Sequence, residues 1–320
     1  MEKLDLKDRR LIYLLDCNSR TSNRQLGKKI GLTEQAIGYK IKRLLEKGVI
    51  KKFITFVNAL SLGYTHYKVF VKIQDATEEV EKKIMDYLVK NKNVRWIVST
   101  SGKYDLSFSV LAKTPQEFSS IYQEIESRFG KFISEKNIFI NVSSPGFTRD
   151  YLINRKQSTK VEYSRGKEMR KLDDTDKSVL KSLSQNSRKN IVDISEEIKS
   201  TVDVVKYRIK KMISDRIISS FTVQLDLEKM GYEYYSIFFS MHNLNEILIK
   251  NILDFAINHP GILFVVQLIG NYDIQLEIEV KNYQELEQIL KKFRFQFSKN
   301  IRDFEILRVN KEFKYDFFPF

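Results

Sequence analysis

Gln35, Tyr39, Lys42 and Arg43 follow one another at helical spacing, with Lys40 and Lys47 on their flank and Lys51 and Lys52 just downstream. Such a set suits the recognition of nucleic acid. Lysine and arginine hold phosphate oxygens, whereas glutamine and other polar side chains read base edges in a DNA groove. A thinner version, Tyr207, Lys210 and Lys211, stands 168 positions later, with Asp203 in the place of Gln35. Other chemistries find little material. The single cysteine, Cys17, can form neither an internal disulfide nor a cysteine-based metal site. Three histidines, His66, His242 and His259, lack ligand spacing, so no metal and no cofactor is expected.

Charge supports the same partner. The 320 residues carry 55 basic and 41 acidic side chains, a net of +14. Residues 1–150 hold 27 basic and 17 acidic residues, 151–171 hold 7 and 2, and the remainder is net −1. A basic first half favours a polyanion such as double-stranded DNA. No uncharged apolar run of about 18 residues is present, so no membrane span is expected. The charged opening Met1-Glu2-Lys3 lacks the apolar stretch of a signal peptide, and together with the lone cysteine it points to a cytoplasmic chain.

The elements that must position these side chains occur twice. Asn18-Ser19-Arg20 recurs as Asn186-Ser187-Arg188, Gly63-Tyr64 as Gly231-Tyr232, and Gly102-Lys103-Tyr104-Asp105 as Gly270-Asn271-Tyr272-Asp273, all at an offset of 168. One register held across so many motifs means a tandem duplication. Within the first copy, Asp5 can cap a helix bearing Leu11, Leu14 and Leu15, and Ser22 a short one burying Leu26 and Ile30. Gly31 breaks that helix, and Thr33 caps a third that Gly48 ends. Its apolar face is Ile37, Ile41, Leu44 and Leu45, opposite the polar and basic set. Two helices joined by a tight turn, the second carrying such a face, form a helix-turn-helix. The alternating stretch 49–57 would supply a wing. In the second copy Val205, Ile209, Met212 and Ile213 are the inward set, and residues 172–221 are only +2, against +8 for 1–53. Its grip on phosphate should be weaker.

The rest of each copy reads strand, helix, strand, strand, helix, strand: 66–73, a helix through Val80, Ile84 and Leu88, 94–101, 106–110, a helix through Phe118, Ile121, Ile125 and Phe129, then 133–142. That order is a ferredoxin-like split unit with helices on one face of an antiparallel sheet. Its other face needs a cover, and the duplicate can supply it as an internal pseudo-dimer packed sheet to sheet.

With Leu4-Asp5-x-x-Asp8, the Asn-Ser-Arg motif, Gly31-Leu32-Thr33 and the Gly-x-Tyr-Asp hairpin, each half resembles the feast/famine, or Lrp/AsnC, transcriptional regulators. The resemblance implies an α+β fold of two winged helix-turn-helix units, each followed by a ferredoxin-like βαββαβ module. The expected divisions are 1–60, 61–150, a basic linker over 151–171, 172–228 and 229–320. It also implies dimerisation through the modules, further pairing of chains, and an amino-acid effector near Gly102, Tyr104, Asp105, Gly270, Tyr272 and Asp273. The second copy departs from the pattern, with Lys199-Ser200 in place of Gly31-Leu32. The alternative reading is an enzyme, because siroheme decarboxylases resemble the same family. Their acid–base chemistry calls for His and Arg, which 49–60 and 217–228 lack.

Overall fold

The computed structural model describes residues 2–154, 160–161, 169–316 and 318–320. Helices α1 (Leu6–Cys17), α2 (Asn23–Ile30) and α3 (Glu34–Glu46) are followed by strand β1 (Ile50–Val57). Their starts follow from local chemistry: the side chains of Asp5, Ser22 and Thr33 accept the backbone N–H of Asp8, Gln25 and Ala36. The first module is β2 (Thr65–Ile73), α4 (Glu78–Lys90), β3 (Val94–Ser101), β4 (Leu106–Ala112), α5 (Pro115–Phe129) and β5 (Ile133–Ser143). Short strands β6 (Gly146–Phe147) and β7 (Lys160–Val161) lead to the second copy: α6 (Asp174–Gln185), α7 (Ile191–Glu197), α8 (Val202–Ser214) and β8 (Ile218–Leu225). A one-turn helix α9 (Leu227–Met230) precedes β9 (Glu233–Met241), α10 (Glu246–Ile257), β10 (Ile262–Ile269), β11 (Ile274–Val280), α11 (Tyr283–Gln296) and β12 (Ile301–Tyr315). Most of the basic stretch 155–168 lies outside the described residues. The start of the expected linker is ordered and packed, since Leu152 is buried in the first helical core and Tyr151 lies against Tyr232.

Two features of the packing go beyond the expectation. The stretch after α3 forms the expected wing strand, and that strand is shared between the copies. β1 pairs antiparallel with β8, Thr55 opposite Phe221 and Phe53 opposite Val223, and the pair forms a ribbon of its own. A lone strand must find a partner for its backbone groups, and the duplicate strand is the one in reach.

The second concerns how the modules meet. They are not merely stacked sheet on sheet; their edges pair. β5 bonds to β10 and β12 to β3, so β11-β9-β12-β3-β4-β2-β5-β10, rejoining β11, closes an eight-stranded barrel. Closure leaves these sheets no open edge. Helices α4, α5, α10 and α11 cover the outside over cores such as Val69, Ile97, Phe108 and Ile121, or Ile237, Leu276, Leu286 and Phe293. Inside, Phe70, Tyr104 and Phe139 of one copy meet Phe238, Val266 and Leu307 of the other.

The Gly-x-Tyr-Asp hairpins lock this closure. Gly102 has φ +127°, and a Cβ there would lie 2.8 Å from the Ile306 carbonyl oxygen of the opposite copy. Gly102→Ala is therefore expected to lower the unfolding free energy by more than about 1 kcal/mol, because both backbone conformation and space oppose a side chain. Urea unfolding of the two forms checks this; an unchanged midpoint would show that the hairpin relaxes freely.

Candidate nucleic-acid interface

Gly31, at φ +75°, ends α2, and its N–H bonds to the Gly27 carbonyl. Gly27 itself permits the turn, since a Cβ there would stand 2.4 Å from the Leu32 oxygen. The turn presses Ile37, Ile41 and Leu44 into the core and turns Gln35, Tyr39 and Lys42 outward. Tyr39 is 69% exposed and the Lys42 side chain 75%, with only a loose i,i+4 pairing to Glu46 at 3.8 Å. Leu45 and Ile213, expected to face inward, are exposed instead, because three apolar positions per helix already fill the small core.

The flanking bases behave differently from expectation. The Lys40 side chain is only 13% exposed; its Nζ lies 2.8 Å from Asp8 Oδ1 and 3.1 Å from Asp5 Oδ2. Arg43 Nη2 donates to both oxygens of the same, nearly buried Asp8 at 2.7 Å. Burial opposes the charge of Lys40, but these bonds outweigh it and raise its pKa. The second copy repeats the strut: Arg208, at the position of Lys40, meets Asp173 at 2.6 Å and Asp176 at 3.3 Å. The Leu-Asp-x-x-Asp motif thus ties the first helix to the recognition helix. Lys40 and Arg43 are engaged in holding α3. Lys47 pairs with Glu2 at 2.5 Å, Lys51 with Asp226 at 3.3 Å, and Lys52 is half-buried on the ribbon. On α8, Tyr207, Lys210 and Lys211 are exposed as expected. Exposed Arg24 and Lys28 on α2 add basic surface that no spacing argument singled out.

The Asn-Ser-Arg repeats do more than end a helix. Ser19 and Ser187 share a hydrogen bond of 2.6 Å, and the hydroxyls meet where the two helical units face each other. Arg20 donates to the carbonyls of Ser187 and Lys189, while Arg188 donates to those of Ser19 and Thr21. Each guanidinium also covers the phenylalanine of the opposite ribbon strand, Phe221 or Phe53, at 5.5 Å. The two recognition helices are therefore carried by one clasped body related by a pseudo-two-fold axis. The repeat was visible in the sequence; that it grips its own copy was not.

The hairpin residues sit at the seam between the two copies. Tyr104 and Tyr272 are buried. One Asp105 oxygen accepts from Ile73 N at 2.8 Å and the other from Lys72 at 2.9 Å, and Asp273 accepts from Met241 N at 2.7 Å. Gly270 packs against Phe139 as Gly102 does against Leu307. The glycines and tyrosines stand where the two copies meet, while Asp105 and Asp273 accept from strands of their own copy.

A cavity of about 620 Å³ lies between the ribbon and the barrel. Arg149 crosses its rim, donating Nη1 to Asp16 at 2.5 Å and Nε and Nη2 to the two oxygens of Glu279 at 2.9 Å each. Lys68 bonds to Gln275 at 2.8 Å and Glu277 at 3.1 Å, and Tyr234 donates to Glu277 at 2.6 Å. Glu312 accepts from Trp96 Nε1 at 2.9 Å and Gln224 Nε2 at 2.6 Å. His66 also lines the cavity, 3.2 Å from the Asn141 amide. Burial first, and then Lys68, push the His66 pKa down to about 3 from 6.5. Between these values the unfolded chain binds the extra proton, so folded stability should fall as pH drops from 6.5 towards 3. The expected slope from this group is at most about 1.4 kcal/mol per pH unit. Urea unfolding at pH steps should show a shallower acid slope for His66→Gln; identical slopes would mean the ring is protonated in the fold.

Comparison with known proteins agrees with this architecture. A profile of winged helix-turn-helix DNA-binding domains matches residues 4–51 and 172–219. The HTH-type transcriptional regulator FL11 of Pyrococcus abyssi is 34% identical over 125 residues, 39% of this chain and 81% of that protein. The HTH-type transcriptional regulator Ptr1 of Methanocaldococcus jannaschii is 30% identical over 140 residues, 42% of this chain and 81% of the other. Over 97% of its length the chain superposes on 93% of the siroheme decarboxylase NirDL, with a TM-score of 0.61. Identity there is 12%, so the likeness is one of fold alone. Two helix-turn-helix units, two ferredoxin-like modules and relatives that are DNA-binding regulators place the chain in the Lrp/AsnC family of transcriptional regulators, as a tandem duplication.

Proposed function

We propose that this regulator reads double-stranded DNA chiefly through α3, with Gln35, Tyr39 and Lys42 entering the major groove and α8 assisting through Tyr207, Lys210 and Lys211. The observation that carries this reading is the outward face of α3, exposed and basic while its neighbours Lys40 and Arg43 hold the helix in place. The second head has Asp203 where the first has Gln35 and a local charge of +2 rather than +8. A carboxylate repels phosphate or accepts from a cytosine amino group, whereas glutamine suits adenine. A clasped body with two unlike heads favours a non-palindromic site. Selecting bound fragments from the source genome and footprinting them tests this. An imperfect palindrome contacted equally by both heads would overturn it, and sedimentation of the complex would tell whether two chains pair their stronger heads.

The family's enzymatic relatives act on a polycarboxylate. Here the carboxylates lining the large cavity outnumber the cations seven to five, counting no histidine, and such a wall disfavours that substrate. We therefore propose a regulator without decarboxylase activity. Incubation with siroheme followed by mass analysis tests it, and loss of carboxyl groups would reverse the assignment.

A further inference from the structure

The cavity between ribbon and barrel lies across the pseudo-two-fold axis, so residues 168 positions apart line it together. The two halves have diverged. Where one side presents Glu312, Trp96 and Gln224, the other presents Ser144, Phe264 and Phe56. A symmetric cavity would accept a ligand in two equivalent ways; this one distinguishes a charged end from an apolar end. At the charged end both donors to Glu312 are neutral, and among the described residues it stands in no salt bridge. Four of the five cations lining the cavity are already engaged: Lys68 by Glu277, Arg149 by Asp16 and Glu279, Lys51 by Asp226 and Arg308 by Glu233, while Lys311 is exposed. At the other end the rings of Phe56 and Phe264 stack, with centroids 6.4 Å apart.

We propose that this cavity binds one small organic cation with an aromatic or bulky apolar body, its ammonium or guanidinium on Glu312 beside Trp96 and Tyr315, its body against Phe56 and Phe264. The volume, about 620 Å³, lies in the range of small-molecule sites. A desolvated carboxylate recognises a cation through charge-assisted hydrogen bonds, while the rings of Phe56 and Phe264 supply an apolar wall for its body. Burial raises the Glu312 carboxyl above its ordinary range, as fits a carboxylate whose counter-ion has yet to arrive. An anion of the same shape meets the carboxylates of Glu277 and Glu279, whose cations Lys68 and Arg149 are already paired, and a free amino acid brings such an anion with it. Because Gln224 belongs to the ribbon and Glu312 to the barrel, the bound cation fastens one to the other.

Trp96 is the only tryptophan, so its fluorescence reports the site directly in the unmodified full-length chain. Titration with phenethylamine is expected to change the emission saturably in the sub-millimolar range, whereas phenylpropionate and phenylalanine should bind at least tenfold more weakly. Glu312→Gln keeps the volume and one acceptor, and should weaken the amine at least tenfold without lowering the thermal unfolding midpoint. If that variant does not fold, the contrast between amine and carboxylate in the unmodified chain decides alone. No saturable change with the amine, equal binding of the carboxylate, or a folded Glu312→Gln that binds as before would each overturn the proposal. The titration contains no DNA, so its failure would leave the reading of DNA by α3 untouched.

Discussion

Arg149→Met should lower the unfolding free energy by about 3–5 kcal/mol, the cost of leaving buried charges without their partner. Two carboxylates depend on this one guanidinium: Asp16 on α1 and Glu279 on β11, with side chains only 4% and 3% exposed. Asp16 also accepts the Arg149 backbone N–H and the Thr222 hydroxyl, and Glu279 accepts the Tyr151 hydroxyl. The cluster thus joins the first helical unit, the ribbon and the second module. Its counterpart positions at the 168-residue offset include Ser184 and Leu111, so no similar hub is built by the other half. Adding Asp16→Asn and Glu279→Gln to Arg149→Met should restore most of the loss, because the penalty comes from unpaired charge more than from missing attraction. Equilibrium urea unfolding measures both. A loss below about 1 kcal/mol for the single change would mean that water reaches the carboxylates.

Tyr39→Ala combined with Lys42→Ala is expected to weaken binding to a footprinted site ten- to a hundredfold, about 1.4–2.8 kcal/mol. The slope of log K against log salt should flatten by about one unit, since one phosphate-facing cation is gone. The matched pair on the second head, Tyr207→Ala with Lys210→Ala, should cost only a few-fold. Lys40→Ala belongs to another class. Removing it strips a partner from Asp8, so its effect should appear first in the stability of the helical unit and only then in affinity. Electrophoretic or fluorescence binding assays at several salt concentrations, run beside thermal unfolding, separate these outcomes. Equal losses from the two heads would refute the asymmetric reading, and a flat response to Tyr39 and Lys42 would place the reading surface elsewhere.

Several of these features were legible in the chain because they are local. Helix starts at Asp5, Ser22 and Thr33 follow from side chains that reach their own backbone, and all three caps form. The strand and helix order of each module follows from apolar periodicity and the turns that interrupt it. What the spacing could not show was which distant groups hold the flanks of the helix wheel. A wheel places Lys40 and Arg43 beside Lys42 as a single basic face, yet it holds no information about Asp8, which approaches from another helix and claims two of the three. The surroundings of the hairpin residues were hidden for the same reason. Gly102, Tyr104 and Asp105 have the composition of a ligand loop, and only the tertiary structure shows Gly102 against Ile306 and Leu307 of the opposite copy.

By itself the sequence determined the duplication, the helix-turn-helix and ferredoxin-like units, the basic bias of the first half and the lack of material for metal chemistry. These rest on periodicity, capping and composition, which act over a few residues or over the whole count. The tertiary structure decided that the copies share strands at their edges, that the strands after the recognition helices form a common ribbon, and that Asn-Ser-Arg clasps its own duplicate. It also decided that Glu312, Trp96 and Gln224 meet across one cavity, though 88 and 128 positions separate them in sequence. Edge pairing and cavity chemistry depend on which distant groups are brought within hydrogen-bond reach, and that is fixed by the packing of the whole chain rather than by any segment of it.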